Sequence, residues 1–150
     1  MIQRVQSLLL LEVLFLSISL FFVPVEFIVV NEAHQAITLL PFDTGTFHST
    51  YGHFAAIAFN ICIALLALIT LFLFKKRELQ LKLCYLLVLL FVVLISMQAW
   101  CPFANLDEHS AVKDNIISYV IMVVGAVSSY LASRYVKKDI DLLKSADRIR

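Results

Sequence analysis

One carboxylate sits where hydrocarbon should surround it. Glu12 lies about seven residues, roughly 10 Å, inside the apolar run that opens at Val5. An acid at that depth is costly to ionise, so it either pairs with a cation, stays protonated, or titrates as part of a transport cycle. It shares a seven-residue spacing with Ser19 and Glu26, which predicts one helical face turned inward. Lys82, at the start of a later apolar run on the same side, is the expected partner, leaving Glu12 a structural acid. The alternative is an ion-coupled transporter that uses Glu12, with Ser19, Asn60 and Ser96 as its polar lining. A relay would want further titratable groups along the path, and the sequence offers none.

Other chemistries find weaker support. His34, His48, His53 and His109 lie among Asp43, Asp107 and Glu108, but with no recognised ligand spacing, so no metal site is expected. No histidine falls inside an apolar run, which removes the usual axial ligands for haem within a bundle. Cys62 and Cys84 fall in or near lipid, and Cys101 in "WCPF" stands alone, so a C-x-x-C disulfide chemistry is not expected. There is no Gly-rich phosphate loop, no G-x-S-x-G and no H-E-x-x-H. The expectation is a protein that is not an enzyme and holds no cofactor.

These residues must be positioned by segments that live in lipid. Of the 150 residues, 61% are hydrophobic and 15% charged, against about 45–50% and about 25% in globular proteins. A water-soluble chain this short has too little interior to hide that much apolar surface. About 20 apolar residues cross a bilayer, and four segments qualify: residues 5–23, 54–74, 83–100 and 116–136. The first run exceeds the core of a secretion signal, and "FFVPVEF" offers no small-residue cleavage site, so it is read as an uncleaved helix. All 150 residues form one integral membrane domain in this reading.

Charge then orients the spans. Arg4, the turn Lys75, Lys76, Arg77 and Lys82, and the tail Arg134, Lys137, Lys138, Lys144, Arg148 and Arg150 hold eleven of the twelve basic residues on one side. Lys113 alone falls on the other, with Glu26, Glu32, Asp43, Asp107, Glu108, Asp114 and all four histidines. Basic loops stay in the cytoplasm, so both termini are expected there. The net charge of +1 leaves no basic face once the loops are assigned, and no nucleic-acid partner is expected.

Small residues mark the packing faces. Ala56, Asn60, Ala64 and Ala67 share one face of the second span, and Ser118, Gly125, Ser128 and Ala132 share one face of the fourth. Beyond Val136 no glycine or proline stops the helix, and Ile140, Leu142, Leu143, Ala146 and Ile149 oppose Lys137, Lys138, Asp141, Lys144 and Arg148. That is an amphipathic extension, suited to acidic headgroups or to a docking partner. In the first long loop, "VEFIVV" and "AITLLPF" around "NEAHQ" predict two strands of a small β-hairpin. The expected class is therefore all-α: a four-helix transmembrane bundle with that hairpin and the C-terminal amphipathic extension.

Three stretches carry a resemblance. "MIQRVQSLLLL", "KKRELQLKLC" and "KKDIDLLKSADRIR", in this order and spacing, resemble an uncharacterised family of small four-pass inner-membrane proteins of Bacteroidota-type bacteria. The resemblance spans essentially the whole chain. It implies a multi-pass protein of the bacterial inner membrane, with no activity and no catalytic residues to carry over. Its motif residues Gln3, Arg4, Gln6, Arg77, Leu79, Gln80, Lys82, Asp147, Arg148 and Arg150 are expected to form one cytoplasmic surface, as a structural clasp or a partner-binding face. The expected partners are the lipid bilayer and a membrane protein or a second copy, and the expected role is a non-enzymatic subunit, scaffold or assembly factor. A membrane-impermeant thiol reagent added to intact cells should label Cys101 and spare Cys84. Labelling of Cys84 without Cys101 overturns the orientation.

Overall fold

The computed structural model describes residues 2–30, 33–38, 51–73, 76–104, 111–114 and 116–147, with side chains described for 5–23, 56–73, 76–99 and 116–145. The elements in chain order are α1 (Ile2–Phe22), β1 (Pro24–Val30), β2 (Ala33–Thr38), α2 (Tyr51–Phe72), α3 (Arg77–Ala104), β3 (Ala111–Asp114) and α4 (Ile116–Asp147). Each helix packs on two neighbours, α1 on α2, α2 on α3, α3 on α4, and α4 back on α1. This closes a four-helix bundle.

Large apolar side chains are left exposed on every helix. Leu8, Phe15, Phe22, Leu65, Phe72, Leu89, Val92, Ile116 and Ile117 all stand outside, on every helix, while the interior holds Leu10, Val13, Leu20, Ile63, Leu87, Phe91 and Met122. A helix apolar on all sides is stable only where its outer face meets hydrocarbon. α1, α3 and α4 contain stretches long and apolar enough to span a membrane, and α2 contains the shorter apolar stretch Ala56–Phe72.

Polar side chains fix the register between helices. Ser17 on α1 donates from Oγ to Asn60 Oδ1 at 2.9 Å, and Asn60 Nδ2 returns a bond to the Ser17 carbonyl at 3.1 Å. Both residues are fully buried, so neither has water as an alternative. On the opposite seam Gln98 Nε2 donates to Ser118 Oγ at 2.8 Å, and Arg77 meets Asp139 at 2.6 Å. Between those two pairs Phe91 lies on Gly125. The partners advance by sevens on α4 as they retreat by sevens on α3, which sets the helices antiparallel with the 3.5-residue period of a left-handed seam. The small-residue faces lie inward as well: Asn60, Ala67, Ser118, Gly125, Ser128 and Ala132 are buried, and Ala56 and Ala64 half-buried.

The expected class is corrected at one end of the bundle. The strands form one three-stranded antiparallel sheet in the order β2-β1-β3, so the fold is not all-α with a hairpin confined to the first loop. The third strand comes from the loop between α3 and α4, where Glu26 pairs with Asp114 and Val29 with Ala111. An isolated hairpin is marginal, and the β-branched β1 gains a partner on each edge by taking the centre. The second strand also lies earlier than expected, since Val30 pairs with Ala33 and most of "NEAHQ" is strand. Leu39 to Phe42, the end of the expected strand, lie outside the described residues. α3 runs past its expected span, from Arg77 to Ala104, while α4 continues without a break to Asp147, as the expected C-terminal extension requires.

The seam gives a direct test. A Cβ built on Gly125 would meet Phe91 Cζ at 2.7 Å and Cε1 at 2.8 Å. Gly125→Ala should therefore destabilise the bundle by about 1–3 kcal/mol through overpacking. Adding Phe91→Leu should recover part of that loss, so the double variant is more stable in detergent unfolding than the two single losses predict. Strict additivity would contradict the contact.

Candidate functional site

Glu12 does not face the interior. It is exposed on the outer wall of α1, among the exposed Leu8, Leu11 and Phe15, while Val13 beside it is fully buried. The expected inward face is wrong for a local reason. Ser17 turns one side of α1 towards α2 through Asn60, and at 100° per residue Glu12 falls most of a half-turn away from Ser17. Ser19 is half-buried and spends its hydroxyl on the Leu16 carbonyl at 2.8 Å. Glu26 is not on the helix at all; it lies in β1.

Lys82 does not meet Glu12 either. It is exposed on α3, and α3 is not a packed neighbour of α1. Among the described residues no ion pair or hydrogen bond joins them. The other residues considered as transport lining also point elsewhere. Asn60 is committed to Ser17, and Ser96 is exposed and bonded to the Val93 carbonyl at 2.8 Å.

At the end of the bundle where α1 starts and α3 starts, the expected motif surface divides into interior and rim. Gln6 and Gln80 are buried at 5% and 4% exposure, so they belong to the core and not to a surface. Gln80 Nε2 donates to the Thr70 carbonyl at 3.4 Å, a long bond that ties α3 to the end of α2. Thr70 itself bonds the Leu66 carbonyl. The Nε2 of Gln6 has no hydrogen-bond partner among the described residues. Arg77 and Leu79 remain on the rim, half-buried and exposed. Gln3 and Arg4 lie in α1 and Asp147 ends α4, whereas Arg148 and Arg150 lie outside the described residues.

The rim is closed by a residue that the sequence reading passed over. Asp139, on the extension of α4, meets Arg77 Nη1 through Oδ2, both side chains largely shielded at 14% and 24% exposure. The contact is an ion pair by distance and not an aligned hydrogen bond. A signal was present: Asp139 follows Gly125 by two heptads on the face that carries Ser118 and Ala132.

The whole chain carries one further identifier. Residues 2–149 match the family described as "Domain of unknown function (DUF4293)". The chain belongs to the DUF4293 family. No curated protein and no solved structure matches it. For this DUF4293 chain the expected resemblance to a family without assigned activity is thus met at family level. Among the described residues no three of His, Cys, Asp and Glu gather as a metal site would require. His34 lies in β2 and His53 in α2, and His48 and His109 lie outside the described residues.

Breaking the rim pair should expose its role. Asp139→Asn leaves a shielded guanidinium without its counter-charge and should cost about 1–3 kcal/mol. The exchanged variant Arg77→Asp with Asp139→Arg should regain most of that loss in detergent unfolding. A swap no better than either single change would show that the pair does not tie α3 to α4.

Proposed function

We propose that this protein is a non-enzymatic membrane subunit or assembly factor that binds another membrane protein, with Glu12 at the contact. The observation that carries the reading is the outward direction of Glu12 in an apolar wall. An ionisable group facing lipid is expensive, and a carboxylate there is best satisfied by a helix that presents a Lys, an Arg or a strong hydrogen-bond donor at the same depth. The surrounding Leu8, Leu11 and Phe15 supply the apolar contact that such a helix would cover. The same reading places the protein in a bacterial cytoplasmic membrane as a four-pass chain with both termini inside, supported by the bias of basic residues to one side.

The transporter alternative draws less support. It needs a hydrated path to Glu12, and the groups available to line one are bonded within the bundle or exposed outside it. The interior at mid-depth is filled by Phe91 against Gly125.

The test is capture in mild detergent at native expression, comparing the natural chain with Glu12→Gln and Glu12→Leu. Glu12 has no bond inside the bundle among the described residues, so both variants should insert and unfold like the natural chain. Glu12→Leu should lose the partner, and Glu12→Gln should keep a reduced share. A chain that purifies alone, or a partner held equally by Glu12→Leu, counts against the proposal.

A further inference from the structure

A cleft of about 590 Å³ opens at the basic end of the bundle, between the first turn of α3 and the extension of α4. Its basic residues are Lys76, Arg77 and Lys144, its apolar ones Leu79, Ile140 and Leu143, and Glu78 is the acid on its rim. Arg77 is already matched by Asp139. Lys76 and Lys144 are exposed and enter no ion pair among the described residues, so two ammonium groups line the same cleft as Leu79, Ile140 and Leu143.

Depth says what meets such a cleft. The last apolar span ends near Val136, and Ile140 to Lys144 follow it by about 6–12 Å of helix. The headgroup layer begins where the ~30 Å of hydrocarbon stops, and a bilayer of ~40–45 Å leaves about 5–7.5 Å of it on each face. Ile140 therefore lies at headgroup level, and the Lys144 side chain, which leans back towards the start of its helix, reaches down to it. Basic pockets between transmembrane helices on the positive side suit anionic headgroups.

We infer that this cleft is a binding site for an anionic phospholipid. The phosphate lies between the Lys76 and Lys144 ammonium groups, and Leu79, Ile140 and Leu143 cover the first carbons below it. This uses charge and depth alone and is independent of any protein partner at Glu12.

The experiment is native mass spectrometry of the full chain in detergent, titrated with phosphatidylglycerol or phosphatidylcholine. The natural chain should retain phosphatidylglycerol in preference, and Lys76→Gln with Lys144→Gln should lower that retention about ten-fold or more. Lys137→Gln with Lys138→Gln removes the same charge from exposed positions outside the cleft and should change retention less than about two-fold. Both lysines of the cleft are exposed, so the variants should fold, which unfolding in a zwitterionic detergent checks. Equal retention of the two lipids overturns the site, as does an equal loss in both paired variants. Inorganic phosphate protecting the chain against heat as well as the lipid does would also overturn it. So would a co-purified protein that the cleft variant loses while lipid retention stays unchanged.

Discussion

The contact of Phe91 with Gly125 is the point on which the bundle turns. In lipid, two apolar helices gain nothing by leaving a solvent that is as apolar as they are. What draws them together is close approach, and only glycine lets the Phe91 ring come to the backbone of α4. Once that contact is made, the seven-residue step fixes the rest of the seam. Gln98 reaches Ser118 one heptad towards the sheet, and Arg77 reaches Asp139 two heptads towards the basic end. A shift of α3 by one residue would break all three contacts together, so the register is held cooperatively and not by any one of them.

Inside this frame the polar residues serve two different purposes. Ser129 bonds the Gly125 carbonyl, Ser133 the Tyr130 carbonyl and Thr70 the Leu66 carbonyl, each within its own helix. Such hydroxyls are small packing residues whose polarity is neutralised locally. Asn60 and Gln98 are different, because a side-chain amide cannot satisfy itself on its own turn and reaches a neighbouring helix. Helix pairing is therefore specified where an amide meets a hydroxyl of the neighbouring helix, Asn60 with Ser17 and Gln98 with Ser118, while the self-bonded hydroxyls let the backbones approach.

This division explains what was legible in the sequence. Small residues at helical spacing reveal a buried face directly, and the stripes through Asn60 and Gly125 do lie inward. The apolar runs reveal where the helices lie, because each run coincides with one of them. Glu12 lies outward, against expectation, because a seven-residue spacing shows which residues share a face but not where that face points. The direction of α1 depends on the Ser17–Asn60 bond between segments 43 positions apart. Gln6 and Gln80 are expected on a surface as part of the motifs that carry the resemblance, yet each falls on the inner side of its helix. β3 was missed because four residues, "AVKD", carry too little pattern to mark a strand without the partner that Glu26 to Val29 provide.

The two ends of the bundle are tied by different means, and the difference bears on function. At one end β1 follows α1 and β3 leads into α4, so backbone pairing joins the two long loops in one sheet. Sheet hydrogen bonds run between backbones, so this tie does not rest on any one side chain. At the other end, among the described residues, a shielded charge pair joins Arg77 to Asp139, with the Gln80 bond to Thr70 behind it. A charge pair depends on both its residues, and it holds the α4 extension beside the start of α3 instead of free in solvent. The basic end thus sets a charge pair that needs both its partners beside the exposed Lys76 and Lys144, which is where a ligand or partner would add to what the bundle already holds.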